Sequence, residues 1–337
     1  MASPAPAAKA STLELVCPAG NLPSLKTAVD QGADAVYIGF RDDTNARHFP
    51  GLNFDAKAAE QGVQYAHTRG RRVFVALNTF PQPDGWARWQ RAVDQAAELG
   101  VDAVIAADIS VLDYACQRHP QLPLHLSVQG SATNYEAIRF YHERFGIRRV
   151  VLPRVLSLPQ VRHVLDSSPV GIEVFGFGGL CIMVEGRCLL SSYVTGESPN
   201  MCGVCSPAKA VRWEETPRGL ETRLGGLLID RYEPDEPAGY PTLCKGRFNT
   251  EHGGGYLFED PVSLDATAML PALRKAGVAA LKIEGRQRGR AYIEGVVRTF
   301  RQTLAALDED RAIPAGELNA FTEGQSTTVG AYRKSWR

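Results

Sequence analysis

Short apolar runs alternate with longer amphipathic stretches along most of this chain. After residue 12, runs rich in Val, Ile and Leu alternate with helical stretches that end at Gly or Pro, which is the pattern of strands followed by helices. The last helical stretch places apolar residues on one face, from Ile293 through Val296, Val297 and Phe300 to Leu304. The predicted strands are Leu13–Val16, Ala35–Ile38, Val73–Leu77, Ala103–Ala106, Leu124–Val128, Arg149–Leu152, Ile172–Phe175 and Ala280–Ile283.

Eight strands that alternate with helices predict an α/β fold, a (β/α)8 TIM-like barrel. A doubly wound open sheet is the main alternative. The alternation stops between residues 176 and 262 and resumes with a predicted helix over Ser263–Ala276. The pattern therefore predicts a disordered tail over 1–12, a barrel over 13–305, a cysteine-rich insertion over 176–262 after the seventh strand, and a C-terminal extension over 306–337.

The insertion has few apolar residues of its own. On the barrel interpretation it emerges at the carboxyl ends of the strands, the face where barrel enzymes build their active sites. Gly176–Gly179 is expected to be flexible and to approach a ligand closely. Gly253–Gly255 is expected to be a further break in regular structure. A metal centre would stabilise a loop of this kind.

Five of the seven cysteines lie in this insertion. They are spaced as Cys181-x6-Cys188, Cys202-x2-Cys205 and a single Cys244. Thiols this dense in a chain without an export signal predict metal binding or redox chemistry. Four thiolates suffice for a zinc ion or an iron–sulfur cluster, and spacing alone leaves both open. The two cysteines outside the insertion, Cys17 and Cys116, are predicted to be small buried hydrophobic residues.

Polar residues follow several predicted strands at the same rim. Arg47 lies in the segment Asp42–His48 after the second strand, and Ser127, Gln129 and Arg154 follow the fifth and sixth. Lys282 and Glu284 end the eighth strand, where alternate residues face the same side. The candidate catalytic residues are Arg47, Arg154, Lys282 and Glu284.

Composition narrows the classes of function. Thirty-seven basic residues balance thirty-seven acidic ones, which argues against nucleic-acid binding without excluding a local basic groove. No apolar run approaches the ~18 residues that a membrane span requires. The N-terminal segment has no apolar signal region, so we expect a cytoplasmic protein. The chain has no GxSxG, HExxH, P-loop or dinucleotide-binding motif.

Several segments carry a family resemblance. Glu173–Cys181, Glu185–Ser191 and Lys282–Arg286, together with the opening Leu15–Asn21 and Gly32–Gly39, resemble the signature of the U32 peptidase family. Within this family, three further segments resemble the members that serve oxygen-independent ubiquinone biosynthesis. These segments are Asp43–Phe49, Ser191–Asn200 and Gly239–Arg247. The resemblance extends from about Glu14 to Tyr332.

The resemblance implies a [4Fe–4S] cluster bound by Cys181, Cys188, Cys205 and Cys244. Cys205 matches the family through Cys205-Ser-Pro-Ala208, whereas Cys202 lies where the family has another residue type and is a possible competitor. It also implies hydroxylation of the ubiquinone ring without O2, in a heterodimer with a UbiV-like U32 protein. A UbiT-like lipid carrier and a prenylated quinone precursor are the other implied partners.

Three alternatives remain open from the sequence. Some U32 relatives hydroxylate pyrimidines in RNA, although a net charge of zero argues against an RNA substrate. A peptidase activity is the second alternative, but no pairing of a cysteine with a histidine is evident. A scaffold whose cluster only holds a partner interface together is the third.

Overall fold

The computed structural model describes residues 13–311, 318–322 and 326–334, with the side chain of Cys202 excepted. In these residues, eight parallel strands close into a barrel, because the last of them pairs with both the seventh and the first. The (β/α)8 prediction is confirmed and the open sheet is excluded. The barrel strands are β1 (Glu14–Pro18), β2 (Ala35–Ile38), β3 (Arg72–Leu77), β4 (Ala103–Ala106), β5 (Leu124–Leu126), β6 (Arg149–Val151), β7 (Gly171–Gly179) and β14 (Ala280–Ile283).

Apolar side chains cover both faces of the barrel strands. Strands of a parallel sheet are buried on both sides, which explains why β2 and β4 are apolar and buried at every position. One small cluster fills the barrel interior and includes Val16, Phe74 and Ile105. Cys17 belongs to the larger cluster that packs against the outer helices, as the sequence predicted for this residue.

Helices surround the barrel and begin at polar cap residues. The side chains of Asn21, Asp55, Asp108 and Asn134 each accept a backbone N–H of the helix that follows, which stabilises the first turn. The helices are α1 (Leu22–Asp30), α2 (Ala56–His67), α3 (Trp86–Glu98), α4 (Ile109–Arg118), α5 (Tyr135–Phe145), α6 (Leu158–Ser167), α9 (Leu270–Ala276) and α10 (Arg290–Asp308). The predicted apolar face of α10 is buried.

The insertion forms small sheets and short helices on the carboxyl rim of the barrel. A three-stranded antiparallel sheet encloses a small core of Val211, Leu224 and Ile229. The elements of the insertion are α7 (Ser192–Thr195), α8 (Pro199–Cys202), β8 (Val211–Thr216), β9 (Gly219–Leu224), β10 (Leu227–Tyr232), β11 (Arg247–Thr250), β12 (Gly253–Tyr256) and β13 (Val262–Asp265).

Three local predictions were wrong. Gly176–Gly179 is not a flexible loop, because β7 extends to Gly179. The extra length of β7 offers an open edge, and the predicted helix from Ser263 instead begins as β13, paired antiparallel with that edge. Gly253–Gly255 belongs to β12 and pairs with β11.

The C-terminal segment also contacts the barrel. A last strand, β15 (Ser326–Thr328), pairs with β13, and the hydroxyl of Tyr332 donates to the backbone oxygen of Phe175 at 2.7 Å. In the described parts of the chain, no helix combines the length and apolar character needed to cross a membrane.

Candidate functional site

A cavity of about 80 Å³ lies at the carboxyl ends of the barrel strands. Its lining includes the four predicted candidates Arg47, Arg154, Lys282 and Glu284, and also Ser127 and Gln129. The structure therefore brings together residues that the sequence placed on separate loops. Other lining residues were not singled out from the sequence, and they include Tyr37, Phe175, Glu185 and Arg286.

Four charged side chains form a continuous row along one side of the cavity. The carboxylate of Glu284 lies 3.0 Å from Arg47 Nη2 and 2.6 Å from Arg154 Nη1. Arg154 Nε in turn lies 2.7 Å from Glu185 Oε1. We call these residues, Arg47, Glu284, Arg154 and Glu185, the rim charge row. Burial alone would raise the pKa of Glu284, but Arg154 and Arg47 outweigh burial and lower it.

Lys282 and Glu284, which were expected to face the same side of the strand, belong to different groups of ion pairs. The pairing of β14 with β7 shifts register between Lys282 and Ile283, because β7 has one extra residue at this point. Lys282 Nζ lies 2.8 Å from Glu173 Oε1 inside the barrel, whereas Glu284 joins the rim charge row. Both residues nevertheless border the same cavity.

Arg286 is a buried guanidinium in the cavity wall. It donates to Asn45 Oδ1 at 2.9 Å and lies 5.7 Å from the centroid of the Tyr37 ring. Gly39 leaves the necessary room, because a Cβ there would lie 2.4 Å from Arg286 Nη1. Burial lowers the pKa of Arg286 to about 10. This side chain therefore remains a cation at neutral pH.

The loop after β2 is ordered by its own hydrogen bonds. The carboxylate of Asp42 accepts from the backbone and hydroxyl of Thr44, and Asn45 donates to the backbone oxygen of Phe40 at 2.6 Å. Thr44 and Asn45 are fully buried. Most of this polar segment thus holds the loop in place, and Arg47 is its charged member that lines the cavity.

The four cysteines Cys181, Cys188, Cys205 and Cys244 lie near one another. Cys205 interacts electrostatically with each of the other three thiols, and Cys188 also interacts with Cys244. Burial raises the pKa of Cys181, Cys205 and Cys244, that of Cys205 to about 11 despite the nearby Arg47. Within the described ranges, no group of three or more His, Cys, Asp or Glu side chains is arranged to hold a single metal ion. The predicted competitor Cys202 has its side chain outside the described residues.

Close backbone contacts fasten the cysteine loops to the barrel rim. Near Cys188, Ser131 Oγ donates to the backbone oxygen of Glu185 at 2.6 Å, and a Cβ at Gly186 would lie 2.1 Å from the backbone oxygen of Gln129. Near Cys205, Arg47 Nη1 donates to the backbone oxygen of Gly203. The rim charge row thus reaches both loops, through Glu185 at one end and Arg47 at the other.

The chain is similar to curated proteins that act on RNA. It is 32% identical over 315 residues to "tRNA hydroxylation protein P" of Escherichia coli, which covers 86% of this chain and 67% of that protein. It is also 32% identical over 314 residues to "23S rRNA 5-hydroxycytidine C2501 synthase" of Escherichia coli, which covers 93% of this chain and 42% of that enzyme. The chain therefore spans about two thirds of the first relative and less than half of the second.

The chain is also similar to one solved structure and to one family description. The solved structure of "the U32 Peptidase Mk0906" aligns with 84% of this chain and 97% of its own, with a TM-score of 0.47 and 13% identity. The family description "Peptidase family U32" matches residues 20–328, which is most of the sequence. The chain therefore belongs to peptidase family U32.

Proposed function

We propose that this chain is a UbiU-type iron–sulfur protein that serves O2-independent hydroxylation of the ubiquinone ring. The observation that carries the proposal is the position of four cysteines beside a polar, ring-lined cavity, joined to it by the rim charge row. The hydroxylation named for the RNA relatives supports the reaction class. The ubiquinone precursor as substrate is supported by the segments Asp43–Phe49, Ser191–Asn200 and Gly239–Arg247.

The donor set fits a [4Fe–4S] cluster held by Cys181, Cys188, Cys205 and Cys244. The pKa values of Cys181, Cys205 and Cys244 are raised, and such thiols lose their protons when a metal centre replaces the proton. A zinc ion with Zn–S bonds of about 2.3 Å needs its four sulfurs within about 4 Å of one another. A four-iron cubane is larger and spreads its ligands further apart. The four thiols lie close enough to interact electrostatically with one another, which supports a single shared centre.

The cluster would supply one-electron redox steps, and the chain's own residues would bind and orient the ring. Tyr37 and Phe175 offer aromatic faces to an aromatic substrate. Ser127, Gln129 and Lys282 offer hydrogen-bonding groups to its oxygen substituents. The Glu284 carboxylate is held by two guanidinium groups, so it orients Arg47 and Arg154.

Cavity size bears on how a prenylated substrate would bind. The volume of about 80 Å³ is roughly half that of the 150 Å³ cavity known to hold benzene. A substituted ring therefore inserts only its reacting edge into the cavity, and the apolar prenyl tail remains outside. An exposed tail needs cover, which supports a UbiT-like lipid carrier as a partner.

Exposed apolar side chains support a partner protein on the insertion side. Among the described residues, eight of the ten exposed large hydrophobic side chains belong to the insertion. Exposed apolar side chains are available for burial against a partner, which fits a heterodimer with a UbiV-like U32 protein. The eight are Leu189, Tyr193, Met201, Trp213, Leu227, Tyr240, Leu257 and Phe258.

Hydroxylation of a pyrimidine in RNA is the second candidate. Two relatives that are 32% identical carry names with this substrate class, and a pyrimidine also presents a six-membered ring to the cavity. A peptidase has less support, despite the family's name. In the part of the chain that the structure describes, the thiols of Cys181 and Cys116 donate to backbone oxygens, and no cysteine–histidine hydrogen bond forms.

A deletion strain grown without O2 separates the two substrates. We expect the quinone pool to fall and the hydroxylated pyrimidines of tRNA and rRNA to persist. Plasmid-borne wild type should restore the quinone, a Cys205→Ala variant should not, and Cys116→Ala should serve as a matched control that does. A normal quinone pool with a missing RNA modification would instead establish the second candidate.

A further inference from the structure

A second set of charged side chains crosses the barrel interior beneath the cavity. Arg72 Nη2 lies 2.9 Å from Glu14 Oε2, which lies 2.6 Å from Arg149 Nη2. Arg149 Nη1 lies 3.3 Å from Glu173 Oε2, and Glu173 Oε1 lies 2.8 Å from Lys282 Nζ. These five residues form a chain of alternating charge. It begins at the half-exposed Arg72 and ends at the buried Lys282.

Lys282 is the member of this chain that borders the cavity. Its ammonium lies between the Glu173 carboxylate and the face of Tyr37, 3.9 Å from the ring centroid. Glu173 is 1% exposed, and its second oxygen is held by Arg149. A buried charge requires a fixed partner of opposite sign, and Glu173 meets that requirement for Lys282.

Several groups act on the protonation of Lys282. Burial lowers its pKa, Arg286 and Arg149 lower it further, and Glu173 opposes all three. His125 is neutral because burial lowers its pKa to about 3, so it contributes no charge. The titratable and charged groups that face Lys282 are Glu173 on β7, Arg149 on β6, His125 on β5, Tyr37 on β2 and Arg286 after β14.

We propose that Glu173 is a positioning residue, which holds the Lys282 ammonium at the cavity floor to donate a hydrogen bond to an oxygen substituent of the bound ring. The role of Lys282 toward a ring rests on the proposed function. The positioning of Lys282 by Glu173 does not rest on the proposed function, and its effect on the protonation of Lys282 can be measured without turnover.

The first test is a titration of Lys282 in the cluster-loaded protein. The chain has eight lysines, so a spectrum of lysine-selective ¹³C label is resolvable, and Lys282→Met assigns the signal. Glu173→Gln should lower the midpoint of Lys282 by at least about one pH unit, a tenfold loss of proton affinity. Glu14→Gln is the matched control, because it removes the other carboxylate of Arg149 without touching Lys282. An unchanged midpoint in Glu173→Gln overturns the proposal.

The second test uses ring hydroxylation. In Glu173→Gln the alkaline limb of the pH profile should move to lower pH, and the double variant Glu173→Gln/Lys282→Met should be no less active than Lys282→Met alone. Additive losses would show that Glu173 does not act through Lys282. If the wild-type protein hydroxylates no ring substrate, the proposed function fails. The titration of Lys282 still tests whether Glu173 positions this lysine. If Glu173→Gln does not fold, Glu173→Asp replaces it, and its Lys282 midpoint must fall below that of wild type.

Discussion

Glu284 and Arg154 form a 2.6 Å ion pair at the point where the barrel meets the cysteine-rich insertion. Arg154 Nη1 also donates to the backbone oxygen of Gly179, two residues before Cys181. Through Arg47, the same Glu284 carboxylate reaches the backbone of Gly203 near Cys205. One carboxylate directly after the last barrel strand thus orients two separate segments that carry cysteines.

Replacement of Glu284 tests this connection. Glu284→Gln should cost about 2 kcal/mol in the free energy of unfolding, because it leaves two half-buried guanidinium groups without their shared carboxylate. Iron content per chain should fall as well, measured after anaerobic reconstitution. Glu214→Gln, which breaks an exposed ion pair with Arg223 on the insertion, should change neither quantity appreciably. Equal iron content in the two variants would show that the rim charge row is not required for cluster binding.

The cysteine assignment predicts a sharp division among the seven thiols. Alanine at Cys181, Cys188, Cys205 or Cys244 should abolish or strongly reduce iron and sulfide binding and bleach the visible absorbance of anaerobically purified protein. Alanine at Cys116, which lies on helix α4, should leave both intact. Cys202→Ala should behave like Cys116→Ala. Retention of the full cluster in Cys205→Ala, with its loss in Cys202→Ala, would reverse the third assignment.

Gly203 should be essential to the loop that carries Cys205. Its φ is +72°, and a Cβ there would lie 2.1 Å from the Cβ of Ala46. Gly203→Ala should therefore lower iron content and stability through both backbone strain and a steric clash. Gly226→Ala is the matched control, since Gly226 has a φ of +86° but no atom within 4 Å of the added Cβ. If iron analysis and thermal unfolding showed similar losses of iron and stability in the two variants, the positive φ alone would explain the effect, without the steric clash.

His125 should make the fold sensitive to mild acid. Burial lowers its pKa to about 3, whereas an unfolded histidine titrates near 6.5. Below pH 6.5 the unfolded chain therefore binds a proton that the folded chain refuses, and stability falls until the pH reaches the folded pKa. The expected loss from this residue between pH 7 and pH 5 is about 2 kcal/mol.

Denaturant unfolding of His125→Phe at the two pH values measures this contribution. Phe keeps an aromatic ring against Phe74, whose ring centroid lies 4.8 Å from that of His125. The variant should lose less stability than wild type over the same interval, and His142→Phe, at a half-buried helical site, is the comparison. A wild-type acid sensitivity that His125→Phe does not reduce would contradict the assignment.

The barrel was predictable from sequence because its strands are short, apolar and regularly spaced. The register shift at Lys282 was not, since it depends on how β14 pairs with β7 across the closed sheet. Likewise, β13 forms only because the glycine-rich end of β7 leaves an edge to be covered, and helical periodicity from Ser263 onward concealed it. Tertiary pairing decided both cases.

Part of the candidate site could be predicted from the sequence. Arg47, Arg154, Lys282 and Glu284 were expected at the rim and line one cavity. Glu173 escaped notice because its partner Lys282 lies 109 residues away. A signal was present, however, since an ionised residue in an otherwise apolar strand implies an opposite charge nearby. Glu173, Arg149 and Lys282 all occur in such strands.

The small core of the insertion has a consequence for biogenesis. Val211, Leu224 and Ile229 alone form its buried cluster among the described residues, while Glu185 from the same segment completes a wall of the cavity. A newly made polypeptide can therefore complete its barrel before the insertion has folded. We expect the binding of iron and sulfide to be the last step of maturation. Molecules that have not yet bound them should be cleaved by proteases within the insertion and remain intact elsewhere.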